Sequence, residues 1–133
     1  MIPAHRVPPG SLVTATVDGR AVLCLKVERP GRDYINHYLV ALTAGRRDLA
    51  LIYIDPDTPL AVAEGAAIDL GEASGGYPDI GDAFATPSGT FLKLRDEPKA
   101  QKTFAYVDLA TGLVRPRMER QAGGLVAWAV RAG

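Results

Sequence analysis

The chain has 133 residues, fifteen basic and fifteen acidic side chains, with 47% hydrophobic against 23% charged residues. That length suits one domain, 1–133, with its own core, and the composition excludes a disordered chain. A formal net charge of zero speaks against bulk attraction to nucleic acid or anionic lipid, and the one cysteine, Cys24, excludes an internal disulfide or a multi-thiolate zinc site.

The first ten residues lack the apolar run of a secretory signal. The longest uncharged apolar runs, 49–54 and 123–130, are too short to cross a bilayer. A cytoplasmic protein away from membranes is expected, with no metal and no cofactor.

Short apolar runs punctuated by Gly and Pro predict an all-β chain. The first strand is 12–17, turned by Asp18-Gly19, a pair that tolerates positive φ at both centres. Next, Ala21, Leu23, Leu25 and Val27 alternate with Val22, Cys24, Lys26 and Glu28. The charges on one face predict a strand buried on the other. Residues 34–42 form the third strand. Residues 49–54, apolar on both faces, predict a central fourth. Thr58-Pro59 predicts a short helix through Glu64, stopped by Gly65. A strand over 66–70 and a loop over 72–81 follow. Further strands are predicted at 83–86, 90–96, 103–109, 113–118 and 125–131, with Pro116 marking an edge or bulge.

The halves resemble each other. Gly10-Ser11-Leu12-Val13 parallels Gly81-Asp82-Ala83-Phe84, and Asp18-Gly19 parallels Ser88-Gly89. Leu23 and Leu25 match Leu92 and Leu94, Tyr38 to Leu42 match Ala105 to Leu109, and Gly45 matches Gly112. The offset drifts from 71 to 67, as if the first unit carried one extra residue at several steps. The expectation is two β-meanders, 10–57 and 81–133, forming tandem SH3-like barrels or one β-sandwich, with a helix or loop connector at 58–80.

Charge is unevenly laid out. Residues 1–47 hold seven basic and three acidic side chains, 48–82 hold eight acidic and no basic ones, and 83–133 hold eight basic and four acidic ones. The acidic middle is expected to lie across the basic units. The basic second half also offers Lys93, Arg95, Arg115 and Arg117, with Tyr106 as a stacking surface, as candidate binding residues for a nucleic acid or other anionic partner.

No catalytic constellation stands out. Cys24 has Lys26 on its face but no evident base, so a buried filler is expected. His37 reads as a core or seam residue, and His5 as solvated. Asp55 and Asp57, like Asp79 and Asp82, lie on turns, without calcium-loop spacing. Serines are few and none sits in a nucleophile elbow, and no phosphate-loop or dinucleotide motif is present. Trp128, Leu125 and Val126 lie on a weakly charged terminal strand that needs a partner, in the core or across a subunit interface.

The function expected first is a non-catalytic binding or assembly module with a protein partner or a second copy. A small-molecule binder or small enzyme with its site between the halves, near Asp55, Asp57, Asp79 and Asp82, is the second expectation. A weak nucleic-acid binder is the third.

Overall fold

The alternating runs become strands in the computed structural model, which describes residues 1–115 and 124–132. In chain order they are β1 (Ile2–Pro3), β2 (Leu12–Val17), β3 (Arg20–Pro30), β4 (Ile35–Ala41), β5 (Ile52–Ile54) and β6 (Pro59–Val62). Then come β7 (Ala67–Ser74), β8 (Ala83–Thr86), β9 (Gly89–Arg95), β10 (Phe104–Asp108), β11 (Val114–Arg115) and β12 (Leu125–Arg131). Among the described residues the only helical pieces are two single 3-10 turns, Ala4–Arg6 and Arg46–Asp48. No helix there is long and apolar enough to cross a membrane.

The strands form two six-stranded antiparallel sheets, ordered β1-β6-β2-β3-β4-β5 and β7-β12-β8-β9-β10-β11. The second order is the first with every number raised by six. Neither sheet closes into a barrel, so the expected tandem barrels are not formed. Instead the sheets share one core. Leu25, Val27, Tyr38 and Val40 of the first sheet meet Leu92, Leu94, Val107, Val114 and Trp128 of the second.

Register follows the same pattern. β3 and β4 pair from Cys24↔Ala41 to Glu28↔His37, and β9 and β10 pair from Phe91↔Asp108 to Arg95↔Phe104. The residue numbers differ by 67 throughout. In the first hairpin the equivalent partners Leu12↔Leu25 are thirteen residues apart, against nine for Ala83↔Leu92. Leu39↔Ile52 and Tyr106↔Arg115 show the same thirteen against nine. The length difference is thus confined to two connections rather than spread over several steps. Asp18 and Gly19, with φ of 51° and 78°, make the expected hairpin turn.

The sheets are tied at two reciprocal points. Glu28 of β3 bridges in parallel to Leu113 just before β11, and Arg95 of β9 bridges to Ala50 just before β5. The Glu28 N–H donates to the Gly112 carbonyl at 3.0 Å, and the Arg95 N–H to the Leu49 carbonyl at 3.0 Å. Those ties explain one misplaced expectation. The run 49–54 is not a central strand: only Ile52–Ile54 joins the first sheet, at its edge. Leu49 and Leu51 are buried because they cross to the second sheet.

The helix expected at 58–64 is also replaced. Pro59–Val62 is β6, laid between β1 and β2. Pro59 is its first residue, where a missing N–H is tolerated, and Leu60 is fully buried. Here sheet pairing overrides a local helix signal. The strand expected at 66–70 runs on to Ser74 as β7, so the proposed loop over 72–81 begins later. Residues 58–80 are therefore less a connector than the source of one strand for each sheet. Two acids of the acidic stretch 48–82 do meet basic groups: Asp82 lies 3.3 Å from Arg47 and Asp69 3.1 Å from Arg131. Pro116 and the rest of the strand expected at 113–118 lie outside the described residues beyond Arg115.

Candidate functional site

β3 is buried on both faces. Leu25 and Val27 face the shared core. Cys24 joins a second cluster with Ala4, Val7, Val13, Ala15, Leu39 and Leu60. The charges at Lys26 and Glu28 suggested that this second face meets solvent. It does not, because the N-terminal segment folds over it. The Ala4 N–H donates to the Thr58 carbonyl and the His5 N–H to the Pro56 carbonyl, both at 2.9 Å. Ala4 and Val7 are buried by that strap.

Beneath the strap lies a polar cluster. Lys26, 0% exposed, donates from Nζ to the Val7 carbonyl at 3.1 Å and to Glu28 Oε2 at 2.9 Å. Across the ladder, His37 Nδ1 stands 3.7 Å from the same Glu28 oxygen. That nitrogen is buried with no hydrogen-bond partner among the described residues. Burial lowers the His37 pKa, and the Lys26 charge lowers it further, against a smaller upward pull from Glu28. The neutral imidazole is the form this site favours. His37 stands at the seam position expected of it, but its charged neighbours are not evident from the sequence, where Lys26 and Glu28 resemble a solvated face.

The same side of the first sheet holds a pocket of about 390 Å³. Its walls are Val17, Leu39, Ile52 and Ile54, with Ala15, Ala21, Ala61 and Pro59 between them and Met1 beside them. Thr14, Thr16 and Thr58 complete the lining, with the Thr14 and Thr16 side chains on the opposite face of β2 from Ala15 and Val17.

On the second sheet, rings stand at positions equivalent to part of the strap-covered cluster. By ladder register, Val13, Cys24 and Leu39 correspond to Phe84, Phe91 and Tyr106. Phe84 and Phe91 are stacked with centroids 6.1 Å apart, and Tyr106 meets Phe84 edge-on at 6.0 Å. Burial raises the Tyr106 pKa. Three rings thus occupy positions where the first sheet has small or aliphatic side chains.

The candidate anion-binding residues do share one face. Lys93, Tyr106 and Arg115 are successive cross-strand partners, and Arg95 lies two residues along β9. Arg117 lies outside the described residues. The two β9 cations are turned to main-chain carbonyls: Lys93 Nζ donates to Pro78 at 3.3 Å and lies 4.4 Å over the Phe104 ring. The Arg95 guanidinium donates to the Arg47 and Ala100 carbonyls.

The interface expected at Leu125, Val126 and Trp128 has little free surface. β12 lies between β7 and β8 within one chain, and Val126 and Trp128 are buried in the shared core. The Trp128 indole donates to the Gly81 carbonyl at 2.8 Å, under the Arg46 guanidinium at 4.3 Å. Pairing inside the chain resolves the exposed-edge hazard.

The four turn aspartates are divided between different neighbours. Asp57 lies 3.7 Å from His5, whereas the Asp82 carboxylate accepts from the Asp79 N–H and faces Arg47. No group of three or more His, Cys, Asp or Glu among the described residues is arranged to hold a metal. Cys24 is buried, and burial pushes its thiol up to about 11. At neutral pH that is a packed thiol rather than a nucleophile.

No protein-family model, curated protein or solved structure matches this chain.

Proposed function

We propose that the protein is a non-catalytic binding module made of two diverged copies of one six-stranded unit, and that the first copy carries the binding site. The observation that carries this reading is the apolar pocket of about 390 Å³ in the first sheet; at the position of Leu39, one of its walls, the second sheet has Tyr106, packed edge-on against Phe84. Duplication is supported by the matching strand orders, the constant register difference in β3–β4 and β9–β10 and the reciprocal bridges between the sheets. On this reading one copy became the filled, supporting half and the other stayed open. The pocket volume lies within the usual range for small-molecule sites.

A neutral, environment-sensitive dye such as Nile red tests the reading. Saturable, single-site fluorescence enhancement is expected with the wild-type chain. Val17→Trp, which places an indole against the aliphatic wall formed with Leu39 and Ile54, should remove it while leaving the thermal transition cooperative. Equal enhancement in the variant, or none in the wild type, would contradict the assignment.

A further inference from the structure

The strap over the first sheet is held by few contacts. β1 contributes the pairs Ile2↔Leu60 and Pro3↔Pro59, and the Ala4 and His5 N–H groups donate to the Thr58 and Pro56 carbonyls. Within Ile2 to Val7 only Ala4 and Val7 are buried. A segment with so few buried side chains opens at less cost than the whole fold.

The face beneath it is poorly suited to a proton. Cys24, Lys26, Glu28, His37 and Leu39 point to one side by register, and Ala4 and Val7 cluster with Cys24 and Leu39. His37 Nδ1 is sealed there without a hydrogen-bond partner among the described residues. Burial, then the Lys26 charge, hold its pKa below the ordinary value. The charged groups acting on the ring are Lys26 and Glu28 of β3 and His5 of the strap. β5 sets the uncharged Ile54 opposite it, and Asp57 lies beside His5 in turn. Glu28 is already engaged by Lys26 at 2.9 Å. A proton on His37 would put two cations against one carboxylate out of water, which is disfavoured. Lifting the strap frees Lys26 from the Val7 carbonyl and admits water, where an imidazole takes a proton readily.

The second sheet repeats the contact without the histidine. Lys93 donates to the Pro78 carbonyl as Lys26 does to that of Val7, but Phe104 stands at the His37 position. The strap also adjoins the pocket. Ala15 and Leu39 cluster with Ala4 and Val7 and line the pocket too. Thr58 and Pro59, which the strap holds, are lining residues as well.

We propose that Ile2 to Val7 form an acid-released cover: proton uptake at His37 lifts it, and a molecule in the pocket holds it down. The second part rests on the reading of the first sheet as the binding half and adds its regulation.

Amide hydrogen exchange followed by NMR tests both parts. The Ala4 and His5 amides report on the strap. The Gly81 and Lys93 amides, which donate to the Lys93 and Asp82 carbonyls, report on the second sheet. Between pH 7.5 and pH 5.5, protection at Ala4 and His5 should fall by up to about tenfold, as expected when one proton is linked to opening through a group that titrates at about 6.5 in water. Gly81 and Lys93 should keep their protection. His37→Phe should abolish the fall, and His5→Gln, which removes the other histidine, should retain it; His37→Gln repeats the comparison if His37→Phe fails to fold. No fall, a fall that survives replacement of His37, or an equal fall at the second-sheet amides would overturn the acid release. At pH 7.5, Nile red at ten times its dissociation constant should raise protection at Ala4 and His5 about tenfold. Dye that binds without protecting them would overturn the link between strap and pocket. No dye binding would overturn the binding-site reading and that link with it, while the pH comparison still decides the acid release.

Discussion

Lys26 and Lys93 hold the same relation to their sheets. Lys26 Nζ donates to the Val7 carbonyl at 3.1 Å, and Lys93 Nζ donates to the Pro78 carbonyl at 3.3 Å. Both pairs tie the second strand of a hairpin to the segment that leads into its first strand. Their neighbours differ. Where Lys26 has Glu28 and His37, the same register positions beside Lys93 hold Arg95 and Phe104. One lysine is sealed in with a carboxylate, and the other lies over an aromatic ring.

That difference predicts unequal costs. Lys26→Met leaves Glu28 half-buried without its ammonium partner and should destabilise the fold by about 3 kcal/mol. Lys93→Met loses a hydrogen bond at a partly exposed site and should cost about 1 kcal/mol. Urea midpoints for the two variants give the comparison, and equal losses would show that Glu28 does not depend on Lys26.

The lowered His37 pKa sets a pH dependence. The unfolded histidine takes a proton near its ordinary value of about 6.5, while the native site resists it. Stability from this group is therefore complete above that value and is lost as pH falls below it toward the native pKa. Glu28, Lys26 and His5 are the charged groups that act on the ring. Melting temperatures from pH 8 to pH 5 should fall more for the wild-type chain than for His37→Phe, which copies Phe104. Parallel profiles would remove His37 as the cause.

The Cys24 thiol, held at about 11 by burial, should stay unreacted with a disulfide reagent at pH 8 in the native protein. It should react with one equivalent when urea unfolds the chain. Rapid labelling without denaturant would mean that the strap opens readily.

Gly81 has a φ of 87°, and a Cβ there would fall against the Arg46 backbone carbonyl. Gly81→Ala combines left-handed backbone strain with a backbone clash and should cost about 2–3 kcal/mol. Gly75→Ala is the control: no heavy atom lies within 4 Å of a Cβ there, and its φ is not in the left-handed region. A loss at Gly75 equal to that at Gly81 would contradict the close packing of the Gly81 turn on Arg46.

Much of the architecture was legible because strand alternation and turn chemistry are local. The strands at 12–17, 83–86 and 125–131 and the Asp18-Gly19 turn were readable at their observed bounds. The parallel of Gly10 with Gly81 falls at an equivalent register position, whereas the match of Leu23 and Leu25 to Leu92 and Leu94 is two residues out, because the ladders make Leu25 equivalent to Leu92. Non-local facts were not legible. Thr58-Pro59 carries a local helix signal, and only the open edges of β1 and β2 make the following residues a strand. Lys26 and Glu28 resemble a solvated face until Ala4 and Val7 fold across them. The pocket gathers Val17, Leu39, Ile52 and Ile54 from three strands, and no local pattern in the sequence brings these together.

Methyl-resolved NMR during titration with Nile red tests the central claim most directly. A pocket confined to the first sheet predicts saturable shifts in the methyl signals of Val17, Leu39, Ile52 and Ile54, with Leu92, Leu94, Val107 and Val114 unmoved. Shifts centred on the second sheet, or none up to the solubility of the dye, would contradict it.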